Sequence, residues 1–261
     1  MNVTTWNVNS LRVRLDRVLA WLDAHRPDVL CLQEIKCVDA DVPHLPFVAR
    51  GYTVASHGQK TYNGVAIVSR LPMTEVVRGL PDPSDPQARG IAATIAGVRV
   101  LNLYVPNGGD LTSDKYPYKL AWLDTLAETA APLASAPTVI CGDFNIAPTD
   151  ADCHDPAGWA GQVLVSAPER ARLQRLLDLG YVDALRRVDG RPGRYTWWDY
   201  RGDMFAQDKG LRIDHHLVST PLATRILDVS IDLDARASGA TQPSDHAPVT
   251  LFLRDEAPDG A

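Results

Sequence analysis

Asp245 and His246 are the residues near the end of the chain whose types best suit acid–base or metal chemistry. They stand side by side in Ser244-Asp245-His246, ahead of the apolar run Val249–Leu253. A carboxylate can hold a hard cation, and an imidazole can donate or accept a proton near pH 7. An adjacent Asp-His pair by itself is more often a turn or a strand cap than an active site. Its interpretation therefore depends on partners from other segments.

Polar residues of the same chemical kinds lie at the ends of several other predicted strands. Most of them, taken singly, could cap a strand or form a turn. Asp214 is harder to explain in this way, because it falls within an apolar strand and burying a charge without a partner is costly. Taken together, the strand ends predict one polar centre at the edge of a sandwich. The residues concerned are Asn7, Glu34, Asn102, Tyr104, Asn107, Asp143, Asn145 and Asp214.

The chemistry available to such a centre is narrow. Carboxylate and amide oxygens are hard ligands, and they suit Mg²⁺ or Mn²⁺ better than zinc. An aspartate from a distant segment can hold the His246 imidazole in one orientation. These groups together predict metal-assisted hydrolysis of a phosphoester. A serine hydrolase is disfavoured, because the chain has no G-x-S-x-G nucleophile elbow.

The elements that must position these residues alternate between strand and helix from the start of the chain. Val3–Val8 is a predicted strand, and Leu11–His25 has the apolar spacing of a helix. A further helix is predicted over Lys115–Ala130, and Gly97 is predicted to turn a hairpin. This layout predicts a single α/β domain over residues 1–254, with strands in more than one sheet, and a flexible tail over 255–261.

Composition limits the class of protein further. The chain has 261 residues, a net charge of −6 and 45% hydrophobic residues, as in ordinary globular proteins. No apolar run reaches the roughly 18–20 residues that span a bilayer, and no signal peptide is visible. The four cysteines form no C-x-x-C pair, so we expect neither a zinc knuckle nor disulfides and place the protein in the cytoplasm. The acidic balance argues mildly against a generic nucleic-acid binder, although a local basic face could still meet phosphates.

At this point the motifs form a recognisable set. The chain resembles the exonuclease III family of the endonuclease/exonuclease/phosphatase superfamily over about residues 1–254. The resemblance implies a four-layer α/β sandwich, in which two mixed sheets pack face to face with helices on the outer faces. It also implies hydrolysis of duplex DNA, 5′ to abasic sites or from 3′ ends, with Mg²⁺ or Mn²⁺. The motifs that carry it are WNVNSLR (6–12), LQEIK (32–36), HGQK (57–60), YNGVA (62–66), NLYVP (102–106), GDFNIAP (142–148), WWDYR (197–201), GLRID (210–214) and PSDHAP (243–248).

The resemblance also assigns roles to residues by position. Asp143 would activate the attacking water or protonate the leaving oxygen, and His246, held by Asp214, would stabilise the phosphate or act as the base. The resemblance leaves open how Asp143 and His246 divide this work, and whether one metal ion or two are used. The implied metal ligands are Asn7, Glu34, Asp143, Asn145, Asp245 and His246. The implied catalytic residues are Tyr104, Asp143, Asn145, Asp214 and His246.

The substrate contacts rest on weaker signals. Trp197 matches the tryptophan that lines the abasic pocket in the family, with plain core packing as the alternative. Arg89 and Asn107 are candidate phosphate contacts, with an ordinary surface position as the alternative. Two loops, 152–159 and 163–166, depart from the family pattern and would tune abasic cleavage against 3′-end trimming. His215-His216 also departs from it, and we interpret this pair as packing or solvent contact.

Two other functions remain open on the sequence alone. One is a phosphoesterase of the same superfamily that acts on RNA or a phospholipid, and the segment 197–201 weighs against it. The other is a non-catalytic DNA-binding relative, which would be expected to have lost site residues that this chain retains. The expected partner is double-stranded DNA with abasic sites or 3′ ends. We expect a monomer with no membrane association.

Overall fold

The computed structural model describes residues 1–237, 239 and 241–255. Within these residues the chain forms twelve strands and eight helices. The strands are β1 (Asn2–Asn7), β2 (Val29–Gln33), β3 (Thr53–His57), β4 (Val65–Ser69), β5 (Met73–Arg78), β6 (Gly90–Ile95), β7 (Val98–Tyr104), β8 (Thr138–Asp143), β9 (Tyr181–Asp183), β10 (Asp214–Ser219), β11 (Ile226–Ile231) and β12 (Val249–Leu253). The helices are α1 (Leu11–His25), α2 (His44–Val48), α3 (Lys115–Ala130), α4 (Pro156–Trp159), α5 (Ala167–Asp178), α6 (Ala184–Val188), α7 (Thr220–Ala223) and α8 (Leu233–Arg236).

The strands form two mixed sheets of six strands each. The first sheet has the order β11-β12-β1-β2-β4-β3, and the second has the order β5-β6-β7-β8-β10-β9. The central pairs, β1 with β2 and β7 with β8, are parallel, whereas their outer neighbours are antiparallel. Parallel neighbours end at the same edge of a sheet. Asn7 and Gln33, and likewise Tyr104 and Asp143, are therefore paired at strand ends.

Three apolar layers hold the sandwich together. The inner layer lies between the sheets and includes Val3 and Ile67 from one sheet and Val100 and Val139 from the other. Helices α1 and α2 cover the outer face of the first sheet. Helices α3 and α5 cover the outer face of the second sheet. The predicted four-layer α/β sandwich is confirmed.

The sequence predicted the long elements better than the short ones. The predicted helices over 11–25 and 115–130 match α1 and α3. The hairpin at Gly97 is also confirmed, since Ala96 and Gly97 both have positive φ, as the turn requires. The strands β5 and β9 were not predicted. The first has an exposed, half-polar sequence at a sheet edge, and the second is only three residues long.

The end of the chain is described only in part. Of the predicted tail, 255–261, only Asp255 lies within the described residues, and its carboxylate is 2.6 Å from the amino group of Met1. None of the described helices is both long enough and apolar enough to cross a bilayer.

Candidate active site and metal centre

The polar strand ends of both sheets meet at one edge of the sandwich. Asn7 ends β1 and Asp143 ends β8, while Asp214 begins β10 directly opposite Asp143. His246 reaches the same edge from the turn ahead of β12, where its backbone forms a bridge with Trp197. The fold therefore brings together side chains that are more than 200 residues apart in the sequence.

Asp143, Asp214 and His246 form a buried group, which we call the catalytic trio. Their exposed fractions are only 1%, 2% and 4%. His246 Nδ1 lies 2.9 Å from Asp214 Oδ2, and His246 Nε2 lies 3.7 Å from Asp143 Oδ2. The expected pairing of His246 with Asp214 is therefore within hydrogen-bond reach. The other ring nitrogen, Nε2, is directed toward Asp143, but the distance is slightly too long for a direct hydrogen bond.

Asn7 links the catalytic trio to Glu34. Its amide nitrogen donates to Glu34 Oε1 and to Asp143 Oδ2, both at 2.9 Å. Its oxygen accepts the backbone N–H of Asn9 at 3.0 Å. Asn7 thus bridges two carboxylates as a donor. Its oxygen, a predicted metal ligand, accepts that one hydrogen bond and keeps a second lone pair.

The Lys36 ammonium lies among the oxygens at the open side of this edge. Its Nζ is 2.8 Å from Glu34 Oε2 and 2.6 Å from Asn9 Oδ1. The Asn9 amide in turn donates to Asp245 Oδ1 at 3.2 Å. Glu34 and Asp245 are therefore joined through Asn9 and a cationic group. The oxygens of Glu34 and Asn9 thus accept hydrogen bonds from a charged ammonium group.

The same edge fits a divalent cation by its donor set. One ligand atom each of Asp143, Asp214 and His246 lies within 4.8 Å of the others. Asp214 Oδ1 is buried and has no hydrogen-bond partner among the described residues, which is costly for a carboxylate oxygen. Carboxylate oxygens are the ligands that Mg²⁺ and Mn²⁺ prefer. The residues present therefore fit such an ion.

Burial and mutual charge shift the protonation of these groups in opposite directions. Burial raises the pKa of Asp143, although His246 opposes the shift. Burial also lowers the pKa of His246, but the carboxylates of Asp214 and Asp143 outweigh it and bring that pKa to about 10. Glu34 is partly exposed, and although burial raises its pKa, Lys36 and Asn7 lower it below the usual value. The site therefore holds a charged imidazole close to a carboxyl group that ionises reluctantly.

Tyr104 and Arg89 form a stacked pair at the end of β7. The Arg89 guanidinium lies 5.0 Å from the Tyr104 ring centroid and donates to the Tyr104 carbonyl at 3.3 Å. Two further donors of Arg89 contact Gln87 Oε1, and only 9% of the residue is exposed. Burial, together with Glu34 and Asp143, raises the pKa of Tyr104 well above its usual range, so its hydroxyl remains a donor. Arg89 thus packs against Tyr104, and its contact with phosphate stays a prediction.

Asn145 and Asn107 are hydrogen-bonded to each other beside Asp143. Asn107 Nδ2 donates to Asn145 Oδ1 at 3.0 Å, and Asn145 Nδ2 donates to the Val105 carbonyl at 3.0 Å. The backbone N–H of Asn145 donates to Asp143 Oδ1 at 2.9 Å. Asn145 therefore orients the Asp143 carboxylate through its backbone, while its side chain braces the neighbouring turn.

Gly142 sets the spacing between β7 and β8 next to the site. A Cβ atom at this position would lie 1.9 Å from the carbonyl oxygen of Leu103, and the φ angle is +144°. Only glycine allows so close a backbone approach. Tyr104 and Asp143 follow directly in the paired strands, so their separation depends on this contact.

Trp197 borders the site on the side of Asp245. Its indole N–H donates to Asp245 Oδ2 at 3.0 Å, and its ring packs edge-on against Trp159 with centroids 6.4 Å apart. An apolar cluster that includes Leu164 and Leu211 lies behind it. Trp197 is thus partly buried and also contacts a predicted metal ligand. Trp159, Trp197 and this apolar cluster form one wall of the site. Trp159 was not predicted as part of it, because it falls in the loop 152–159 that departs from the family pattern.

A second buried charge cluster, which we call the arginine cluster, lies behind this wall. Arg212 donates to Asp152 at 2.6 Å and to Asp183 at 2.8 Å, and it lies 3.2 Å from His215 Nδ1. Arg186 pairs with the same Asp152 carboxylate. His215 Nε2 lies 2.8 Å from the Ile146 carbonyl. His215 and His216 are both buried, so packing rather than solvent contact explains this pair.

Comparisons with known proteins agree with this geometry. A family profile described as the endonuclease/exonuclease/phosphatase family matches residues 4–246. Exodeoxyribonuclease III of Haemophilus influenzae is 37% identical over 95% of this chain and 98% of its own length. A solved 3′ phosphatase from Neisseria, bound to a product DNA hairpin, has a TM-score of 0.94 and 49% identity, covering 97% of this chain and 99% of its own. An AP endonuclease from Archaeoglobus fulgidus has a TM-score of 0.93 and 37% identity, with the same coverage.

Proposed function

Because the chain belongs to the endonuclease/exonuclease/phosphatase family and is a nuclease, we propose that it is a divalent-metal-dependent DNA repair enzyme. Its substrates are phosphodiesters and phosphomonoesters of duplex DNA, at 3′ ends and 5′ to abasic sites. The single observation that supports this most strongly is the catalytic trio, which lies beside Glu34 at the edge where both sheets end.

The metal we propose is Mg²⁺ or Mn²⁺, held by Glu34 with help from Asp143, Asp214 and Asp245. When bound, such an ion supplies positive charge that stabilises the negative charge developing on the phosphate. The lowered pKa of Glu34 supports this assignment, because the charged carboxylate is the form that binds a cation.

The residues of the chain perform the remaining steps. As the water oxygen bonds to phosphorus and the P–O bond to the leaving oxygen breaks, Asp143, oriented by Asn7 and Asn145, takes the proton of the attacking water. The leaving oxygen takes a proton from solvent. His246 is held by Asp214 and donates a hydrogen bond to the phosphate from Nε2. The Tyr104 hydroxyl donates to another phosphate oxygen. Asn145 keeps Asp143 oriented through its backbone N–H.

We propose that the enzyme hydrolyses 3′ ends of DNA faster than it cleaves 5′ to abasic sites. The support is the similarity to the Neisseria 3′ phosphatase, at 49% identity, against 37% for the Archaeoglobus AP endonuclease. We further propose that residues 1–254 act as one domain, that Trp197 and Asn107 contact the DNA, and that the enzyme works as a cytoplasmic monomer.

The test uses three labelled duplexes, carrying an internal abasic site, a 3′-phosphate or a recessed 3′-hydroxyl. We expect hydrolysis that requires Mg²⁺ or Mn²⁺, stops with a chelator and is fastest at a 3′ end. His246→Asn should lower the rate by about 10²-fold or more, the usual contribution of a positioned acid–base group. His44→Asn changes an exposed histidine and serves as the matched control.

The outcomes separate the alternatives. Absence of metal-dependent hydrolysis on all three duplexes would contradict the proposed function. Faster cleavage at the abasic site would reverse the proposed order of substrates and leave the nuclease assignment in place. Equal rates for wild type and His246→Asn would contradict the role given to the catalytic trio.

A further inference from the structure

Lys119 is a fully buried ammonium group behind the catalytic edge. It lies on α3 with an exposed fraction of 0%. Its Nζ donates to the Asn145 carbonyl at 2.6 Å, to the Asn107 carbonyl at 3.1 Å and to Glu169 Oε1 at 2.5 Å. An ammonium has three N–H donors, so every donor is used. The three acceptors belong to three separate segments of the chain.

The two carbonyls belong to the turns that form the site. Asn145 follows β8, has a φ angle of 51° and donates its N–H to Asp143. Asn107 follows β7 and donates its side-chain amide to Asn145. The left-handed conformation at Asn145 is unusual for a residue other than glycine, and it persists only where the surroundings hold it. The Lys119 ammonium bonds the carbonyl of that same residue.

Glu169 connects this ammonium to the loop 163–166, which packs next to Trp197. Its carboxylate is buried in the first turn of α5 and accepts the backbone N–H of Leu164 at 3.1 Å and that of Ser166 at 3.0 Å. Leu164 and Trp197 belong to the same apolar cluster. One ion pair therefore reaches from the catalytic turns to the loop 163–166.

Stability alone does not account for an ion pair at this depth. Replacing a buried ion pair with apolar side chains is often neutral or stabilising, because desolvating two charges costs about as much as their attraction returns. An apolar side chain at 119 would, however, leave the carbonyls of Asn107 and Asn145 without this donor. What Lys119 supplies, and an apolar residue cannot, is the joint attachment of the two turns.

We propose that Lys119 is a positioning residue for the nuclease reaction. It ties the Asn107 and Asn145 turns to each other, while Glu169 balances its charge. The Asn145 turn, whose backbone N–H orients Asp143, is thereby held in place. This inference rests on the proposed function, since its main readout is hydrolysis of DNA.

The test compares two variants that break the same ion pair. Lys119→Met removes the donors to both carbonyls, whereas Glu169→Gln keeps Lys119 and its bonds to them. We expect both variants to lose stability in urea unfolding. Only Lys119→Met should lower kcat, by about 10- to 100-fold with little change in KM, since a misplacement of about 1 Å can cost about 10²-fold. Rates are measured on the duplex that wild type hydrolyses fastest.

The double variant Lys119→Met/Glu169→Gln separates positioning from stability, because it leaves no unpaired charge in this region. We expect its stability to recover in part, because the carbonyls of Asn107 and Asn145 still lack this donor, while its kcat stays low. Recovery of both stability and kcat would contradict the proposal, as would an equal loss of kcat in Glu169→Gln. If neither Lys119→Met nor the double variant folds, Lys119 serves the fold rather than the reaction, and the proposal is again contradicted. Inactive wild-type protein would instead count against the proposed function.

Discussion

The catalytic trio and the arginine cluster are both buried charge clusters, yet their hydrogen bonding differs. In the arginine cluster, the Asp152 carboxylate accepts from Arg212 and Arg186 on one oxygen and from the N–H and hydroxyl of Thr149 on the other. In the catalytic trio, Asp214 Oδ1 has no partner among the described residues, and His246 is 3.7 Å from Asp143. The first cluster is complete, whereas the second has unused binding capacity.

The two clusters also hold their histidines in opposite states. Burial and Arg212 lower the pKa of His215 to about 4, so it is neutral at physiological pH. Burial acts on His246 in the same direction, but two aspartates overcome it and raise that pKa to about 10. The degree of burial is the same, so the neighbouring charges decide. A complete cluster serves the fold, and an incomplete one is available to a metal and a substrate.

The largest expected effect is on catalysis, and matched Asp→Asn changes in the two clusters should reveal it. Asp143→Asn should lower kcat by about 10³- to 10⁴-fold, because the general base and a metal ligand are lost together. Asp152→Asn should leave the kcat of the folded protein within about threefold of wild type, since kcat responds to groups that act in the transition state. Single-turnover hydrolysis of a 3′-phosphate duplex measures both. A similar loss of kcat in both variants would remove the distinction between the clusters.

The next-largest effect is on stability, where Asp152→Asn rather than Asp143→Asn should cause the greater loss. Asp152→Asn should lower the free energy of unfolding by about 3–5 kcal/mol, because two arginines lose a buried partner. Asp143→Asn should be neutral or stabilising, since burial already disfavours its charge. Asp124→Asn, in the half-exposed pair with Arg172, is the control and should cost at most about 1 kcal/mol. Urea unfolding measures all three. A larger loss in Asp143→Asn than in Asp152→Asn would contradict the comparison.

The smallest effect concerns pH. The pKa of His246 is raised above its unfolded value of about 6.5, so its contribution to stability is complete below that pH and is lost as the pH rises through about 10. The pKa of Asp152 is lowered, because Arg212 and other partners outweigh burial, so its contribution is present above about pH 4 and is lost on acidification. The two clusters therefore respond to pH in opposite directions.

NMR titration of the imidazoles tests this difference directly. Asp214→Asn should lower the pKa of His246 by about one unit or more, equivalent to about 1.4 kcal/mol, and leave His215 unchanged. The stability lost in Asp214→Asn should be largest below about pH 6.5 and shrink at high pH. An unchanged His246 pKa would show that Asp214 does not hold the imidazolium.

The residues of the catalytic trio could be predicted from the sequence because each lies at a strand end within a motif of distinctive residue types. The arginine cluster could not, because Asp152 and Asp183 lie outside these motifs and resemble surface charges, and the GLRID motif does not indicate which carboxylates Arg212 contacts. Lys119 was hidden for a similar reason, since a lysine in a helix is usually solvated. Nothing in the sequence indicated that Arg89 donates to the Tyr104 carbonyl and to Gln87. Such contacts depend on side-chain direction, which spacing along a strand does not determine.

Gly142 has a consequence for how the site could change in evolution. A single added methyl group there would meet the Leu103 carbonyl at 1.9 Å and act as a wedge between two central strands. Even the smallest side chain is therefore excluded at position 142, so substitution there cannot adjust the spacing between Tyr104 and Asp143 gradually. Adaptation to new substrates would have to occur in the surrounding loops, while the spacing between β7 and β8 stays constant.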